Sequence, residues 1–364
     1  MMLIVSSNTK LKDAYSEAGF EIIDGRLQKL QASLAGEGFE SDIVYVDHEE
    51  SLEKYNQNPV DPEKPDEIKA LIDSIHQSLQ QETLNILIIG GHQIIPFHKL
   101  PDPTGDDSWI YSDNPYASTD EDFIVPERPL GRFPDGLSND PCLIISQINN
   151  SIKYRENKGS EFGKFCYTAL VWEKASKAVL DSANVTGHKH LVLSPPLNQD
   201  SLDSRILNKK IYNYFNLHGG ENTPNWYGDN GTGTYPVAFT PQITNTNIED
   251  VIVFTEACYG ANILNKKIDD AISLKYLQNG AICFLGSTRI AYGPSEPPSS
   301  AADLIGVKFF ENLDNDLSLG EAVMKAKQDY AQEYITAGTF DDIDEKTLLE
   351  FVLFADPSLK RRVV

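Results

Sequence analysis

Two apolar runs in the second half of the chain end in residues that could do nucleophilic chemistry. IYNYFNLHGG runs from Ile211 into His218-Gly219-Gly220, and VIVFTEACYG runs from Val251 into Cys258. A free thiol is only a few per cent thiolate at neutral pH, so a cysteine that attacks a carbonyl needs a base beside it. An imidazole supplies that base and can return the proton to a leaving amine. A glycine next to the histidine lets the backbone approach, so the N–H groups of Gly219 and Cys258 could together hold an oxyanion. Taken singly, each residue has a plainer reading. Cys258 alone is a small buried hydrophobe at a strand end, and His218 alone is a loop histidine. The chemistry lies in the pair.

Such a pair works only if the two strands are neighbours, because open α/β sheets bind ligands beyond the carboxyl ends of their strands. Continuous apolar runs recur along the chain: MLIVS, SDIVYVD and LNILIIGG early, then FCYTALVWE, HLVLS and AICFLGS. Between them lie helical patterns, among them Leu27, Leu30 and Leu34 in GRLQKLQASLAGEGF and Ile68, Leu71, Ile72, Ile75 and Leu79 in IKALIDSIHQSLQ. KASKAVLDSA, SRILNKK, AADLIGVKFFENL and LGEAVMKAKQDYAQEY read as further helices, the last opening with a Ser318/Glu321 capping box. This alternation predicts an α/β fold with mostly parallel sheets covered by helices on both faces. It pauses at the polar link KGSE, which predicts subdomains over 1–158 and 159–364, the second carrying His218 and Cys258. A long irregular stretch over 101–134, rich in Pro, Asp, Tyr and Ser, is the first candidate active-site loop.

Composition narrows the partners. A net charge of -23 over 364 residues repels nucleic acid and anionic lipid, and would attract a cationic substrate. Three of the four cysteines, Cys142, Cys166 and Cys283, sit in apolar runs and read as buried free thiols of a reducing compartment. MMLIVSSNTKLKD turns polar before a signal-peptide core could form, and no run reaches the length of a membrane span. The expectation is a cytoplasmic protein with no membrane and no nucleic-acid partner. GDNGTGTYP lacks the Lys-Ser/Thr ending of a phosphate loop and reads as a flap beside His218. His188-x-His190 lacks a third metal ligand nearby, and His92 and His98 are assigned no chemistry.

His218-Gly219, the block Val251–Phe254 and Glu256-Ala257-Cys258 resemble the histidine and cysteine motifs of the clan of caspases, gingipains, legumain and separase. YSDNPYAS, IVPERPLGRFP, GAICFLGSTRIAYG and FVLFADPSL, in that order, resemble the blocks of the gingipain (C25) peptidases, from about Ile86 to Leu359. The resemblance implies a caspase-like three-layer αβα fold with two subdomains, and a cysteine endopeptidase acting on protein or peptide substrates without a catalytic cofactor. It implies Cys258 as nucleophile, His218 as general base and acid, and Gly219 with Cys258 as oxyanion donors. Asp113, in the SD-x-x-Y block, is the matching acidic partner for the histidine.

Gingipains cut after Arg or Lys, which implies an acid in the specificity pocket. Asp120 and Asp122 fall in the matching stretch, which reads equally as a solvated loop or a structural calcium site. Tyr292 would be a pocket wall, and Glu256 a further substrate-binding position. The sequence departs from the family in having a single aromatic, Tyr292, after its GST segment, and FADPS for GDPS. It also begins without the family's leader and pro-domain, so latency would rest on a mobile loop or an activating protein partner. The rival from another class is a non-catalytic caspase-like scaffold that binds a partner protein through the same cleft. A Rossmann-like nucleotide binder is disfavoured by the lack of G-x-G-x-x-G after the first strand.

Overall fold

In the computed structural model, which describes residues 1–79, 81, 83–156, 163–242 and 248–362, the apolar runs pair into two largely parallel sheets. Strands β1 (Met2–Ser6), β2 (Ser41–Tyr45) and β3 (Asn85–Ile89) begin the first sheet; β4 (His98–Leu100) and β5 (Ile110–Ser112) form a separate antiparallel pair. With β6 (Leu130–Phe133) the first sheet has the order β2-β1-β3-β6, every pairing parallel. Its helices are α1 (Asn8–Gly36), α2 (Glu49–Leu52), α3 (Pro65–Leu79), α4 (Asn114–Ala117) and α5 (Cys142–Glu156).

The second sheet draws on β7 (Lys164–Ala169), β8 (Lys189–Ser194) and β9 (Tyr212–Asn216), after which β10 (Trp226–Tyr227) and β11 (Val237–Phe239) form a short hairpin. It is completed by β12 (Ile252–Thr255), β13 (Cys283–Ser287) and β14 (Phe351–Ala355), in the order β14-β13-β12-β9-β7-β8. Only β14 runs antiparallel, against β13. Helices α6 (Glu173–Ser182), α7 (Ile272–Gln278), α8 (Ala301–Asp314), α9 (Leu319–Ala337) and α10 (Asp342–Glu350) accompany it.

The period of two along β12 shows the layering. Ile252 and Phe254 join one core with Ile305, Phe310 and Ala326 of α8 and α9, while Val253 joins another with Leu274 and Leu277 of α7. Both faces are therefore buried, which is why the strand reads as an unbroken apolar run. The two sheets meet edge to edge at β6 and β14. A Cβ on Gly131 would stand 2.2 Å from the Ala355 carbonyl oxygen, so only glycine fits.

Some elements differ from the sequence reading. α1 starts well before Leu27, because Ser7 caps it by accepting from the Lys10 N–H, and its buried stripe already includes Leu11, Tyr15 and Ile23. SRILNKK forms only a 3-10 turn over Ser204–Leu207; Leu207 is its one buried side chain, and Lys209 takes a φ of 53°. Cys166 and Cys283 are buried as expected, but Cys142 is exposed, since it opens α5 ahead of the buried Leu143 and Ile144. The KGSE link, and with it the boundary at 158, lies outside the described residues. Among the described residues no helix is long and apolar enough to cross a membrane.

Candidate active site

β9 and β12 are parallel neighbours, with Phe215 opposite Thr255, so the residues that follow each strand emerge at the same carboxyl edge. His218 is fixed by a two-way backbone bridge to Tyr227, with N···O distances of 2.9 and 2.8 Å. Its ring lies 4.5 Å from Trp172 and 5.1 Å, edge-on, from Tyr235. Nε2 faces Asp229 Oδ2 at 3.1 Å, which leaves Nδ1 for the proton chemistry. Asp229 comes from the glycine-rich segment after β10 and is held by the Gly231 N–H, at 2.7 Å, and by its own N–H bonding to the Ser194 carbonyl.

The thiol and the histidine open into one narrow cavity of about 40 Å³, shared with Trp172, Glu256 and the wall Ala291–Pro294. Gly219 packs directly on the Cys258 backbone: a Cβ there would be 2.0 Å from the Cys258 carbonyl oxygen. After Cys258 the chain turns through Tyr259 at a φ of 58°, a left-handed conformation that bulky side chains seldom adopt. Among the described residues neither the Gly219 nor the Cys258 N–H has a backbone acceptor, and the Cys258 N–H bonds toward its own thiol. In this resting arrangement Cys258 Sγ donates to the Ala291 carbonyl at 3.5 Å. Burial pushes the thiol up to about 11, and the nearby Glu350 and Asp107 carboxyl groups add to the push.

Glu256 is buried and lines the same cavity, accepting a bond from the Tyr214 hydroxyl. Beside it lies Asp303 of α8, also buried, whose two oxygens meet no hydrogen-bonding group among the described residues other than the Glu256 carboxyl. Burial pushes Glu256 well above the ordinary carboxylate range, with the Asp303 charge adding, and burial raises Asp303 as well. Two carboxyl groups in contact cannot both ionise cheaply, so they share a proton. The cavity wall thins over them at Gly293, where a Cβ would stand 3.3 Å from Glu256 Oε2 and 3.4 Å from Asp303 Oδ1.

The structure thus brings together His218, Gly219, Cys258, Glu256 and Tyr292, and separates the other expected residues from them. Asp113 does not reach His218. It is buried against Arg132, with Oδ2···Nε 3.0 Å and Oδ1···Nη2 2.5 Å, and Arg132 bonds onward to the Gly90 and Ile95 carbonyls. A fully buried guanidinium needs that carboxylate, and the acid beside the histidine is Asp229 instead. Asp120 and Asp122 are exposed turn residues; Asp120 accepts from the Asp122 N–H, Asp122 from the Ile124 N–H, and neither lines the cavity. Sequence reasoning missed Asp229 and Asp303. The first was within reach, since its segment was already read as a flap beside His218; Asp303 sits on a helix far along the chain.

A three-layer αβα build whose parallel strands deliver a histidine and a cysteine to one carboxyl edge defines the caspase-like class. The chain belongs to peptidase family C25, whose description matches residues 22–362. Among solved structures it is similar to the Arg-specific cysteine proteinase gingipain R (RgpB), at a TM-score of 0.66 and 16% identity over 100% of this chain and 78% of that one. It is also similar to the complex of Porphyromonas gingivalis RgpB pro- and mature domains, at a TM-score of 0.64 and 15% identity, covering 98% of this chain and 79% of that one. At such identity these likenesses establish the fold. No curated protein matches the chain.

Proposed function

We propose that the protein is a cysteine endopeptidase acting through His218 and Cys258. The observation that carries this reading is their shared cavity at the ends of neighbouring parallel strands, with Asp229 turning the imidazole. As substrate enters, the thiol leaves the Ala291 carbonyl and passes its proton to His218 while the sulfur attacks the scissile carbonyl. The N–H groups of Gly219 and Cys258 hold the oxyanion, and His218 then protonates the leaving amine, giving a thioester. Water, deprotonated by His218, attacks the thioester and releases the acid and the thiol. Because burial holds the free thiol up, transfer of its proton to His218 accompanies attack.

The Glu256/Asp303 pair supports a preference for a basic side chain before the scissile bond. Arrival of a guanidinium or ammonium would displace the shared proton and bond the two carboxylates in its place. The cavity is narrow, so admitting a long side chain requires the Tyr292–Pro294 wall to move outward. A positional-scanning peptide library tests the whole reading: cleavage concentrated after Arg or Lys agrees with it, and cleavage without preference removes the role of the acidic pair.

One observation favours the second reading, a non-catalytic scaffold that binds a protein through this cleft. The thiol is bonded to a carbonyl and pushed up, as an inert buried cysteine is. A scaffold would cleave no peptide in that library and would keep its partner when Cys258 is replaced by alanine.

A further inference from the structure

The loop after β4 converges on one ammonium. Asp102 Oδ2, Thr104 Oγ1 and Asp107 Oδ2 lie 2.9, 3.2 and 2.8 Å from Lys346 Nζ of α10, and the lysine side chain is fully buried. The Asp107 carboxylate also accepts from the Tyr259 hydroxyl at 2.5 Å and from the Ile290 N–H at 3.1 Å. Tyr259 follows Cys258 in the strained turn, and Ile290 precedes Ala291, whose carbonyl receives the thiol. The same ammonium stands 5.6 Å from the centroid of Tyr292, in the cavity wall.

We propose that Lys346 and Asp107 are positioning residues for Cys258: the buried ammonium fixes the Asp107 carboxylate, which clamps the turn after the thiol and the segment carrying its acceptor. The inference rests on the peptidase reading of Cys258. Two aspartates and a hydroxyl around one cation are the oxygen donors that a hard metal ion would use. Here α10 supplies the cation covalently, so the clamp forms with the fold. Burial opposes charge on Lys346, but its bonds to Asp107 and Asp102 outweigh that and hold it above the usual lysine range, with Glu350 adding from the same helix. The Asp107 charge acts on the thiol as well, and the Lys346 ammonium bonded to it offsets that effect.

The test compares the wild type with Lys346→Met, Lys346→Arg, Asp107→Asn and Tyr259→Phe. Alkylation by iodoacetamide is followed against pH at the Cys258 peptide by mass spectrometry, because Cys142 is exposed; kcat and KM are measured on one peptide substrate. Lys346→Met is expected to raise the apparent pKa of the thiol, slowing alkylation at fixed pH about tenfold per unit, and Lys346→Arg to restore it. Asp107→Asn is expected to lower that pKa while kcat falls, and Tyr259→Phe to lower kcat with the pKa and KM nearly unchanged. Shifts of the same sign in Lys346→Met and Asp107→Asn, as general loosening would give, overturn the proposal, as do unaltered profiles and kcat in folded variants. If Lys346→Met does not fold, Asp107→Asn and Tyr259→Phe decide it. A wild type that cleaves no peptide sinks the peptidase reading, while the alkylation arms still decide the positioning claim.

Discussion

His218 Nε2 and Asp229 Oδ2 stand 3.1 Å apart, the carboxylate reaching the ring from a loop that the sequence presents only as a glycine-rich flap. This contact fixes which imidazole nitrogen is free to exchange a proton, and it depends on the Tyr227 bridge that holds the histidine backbone.

Replacing Asp229 with asparagine keeps the shape and removes the charge that steadies the ring. We expect kcat to fall by about 10²–10⁴-fold with KM little changed, read from steady-state kinetics on a fluorogenic peptide. Unchanged kcat would remove Asp229 from the site.

Glu256→Gln and Asp303→Asn each leave the cavity its volume but weaken its hold on a cation. Each variant should lose selectivity for Arg and Lys by about ten- to a hundredfold in kcat/KM, measured against a matched peptide with a neutral residue before the scissile bond. If Asp120→Ala or Asp122→Ala has that effect instead, the specificity acid lies in the exposed loop after all.

The Asp113–Arg132 pair is structural. Asp113→Asn or Arg132→Met strands a buried charged or polar partner and should destabilise the fold by about 3–5 kcal/mol, measured by urea unfolding, while folded enzyme keeps its kcat. A variant of full stability and lost kcat would return Asp113 to the catalytic site.

Glu256, Asp303 and Glu350 are all raised, chiefly by burial. For carboxyl groups raised on folding, the stabilising contribution is complete below the ordinary carboxylate range and is lost as pH climbs through the folded-state values. The melting temperature should therefore fall as pH rises above the ordinary carboxylate range, and Glu350→Gln should flatten that fall. An equal fall in the variant would show that Glu350 is not among its causes.

Much of the fold was legible because parallel strands buried on both faces must be continuously apolar, as Met2–Val5 and Val251–Phe254 are. Those runs also put His218 and Cys258 at the ends of two strands, whose adjacency only the sheet pairing shows. Asp229 was not assigned because a loop carries no periodicity to say which side chain turns inward. Asp303 lies on α8, where it looks like a first-turn acid, and only packing shows that it meets Glu256. Asp113 misled because a motif position specifies a residue type, whereas the buried Arg132 guanidinium decides which carboxylate it claims.

The central claim is that Cys258 is the nucleophile. Its most direct test is peptide cleavage by wild type and Cys258→Ala, together with intact-mass analysis after exposure to a peptidyl ketone inhibitor bearing arginine before the warhead. Cleavage and a single covalent adduct at Cys258 in the wild type, both absent from the variant, are the predicted result. Cleavage that persists in Cys258→Ala would contradict it.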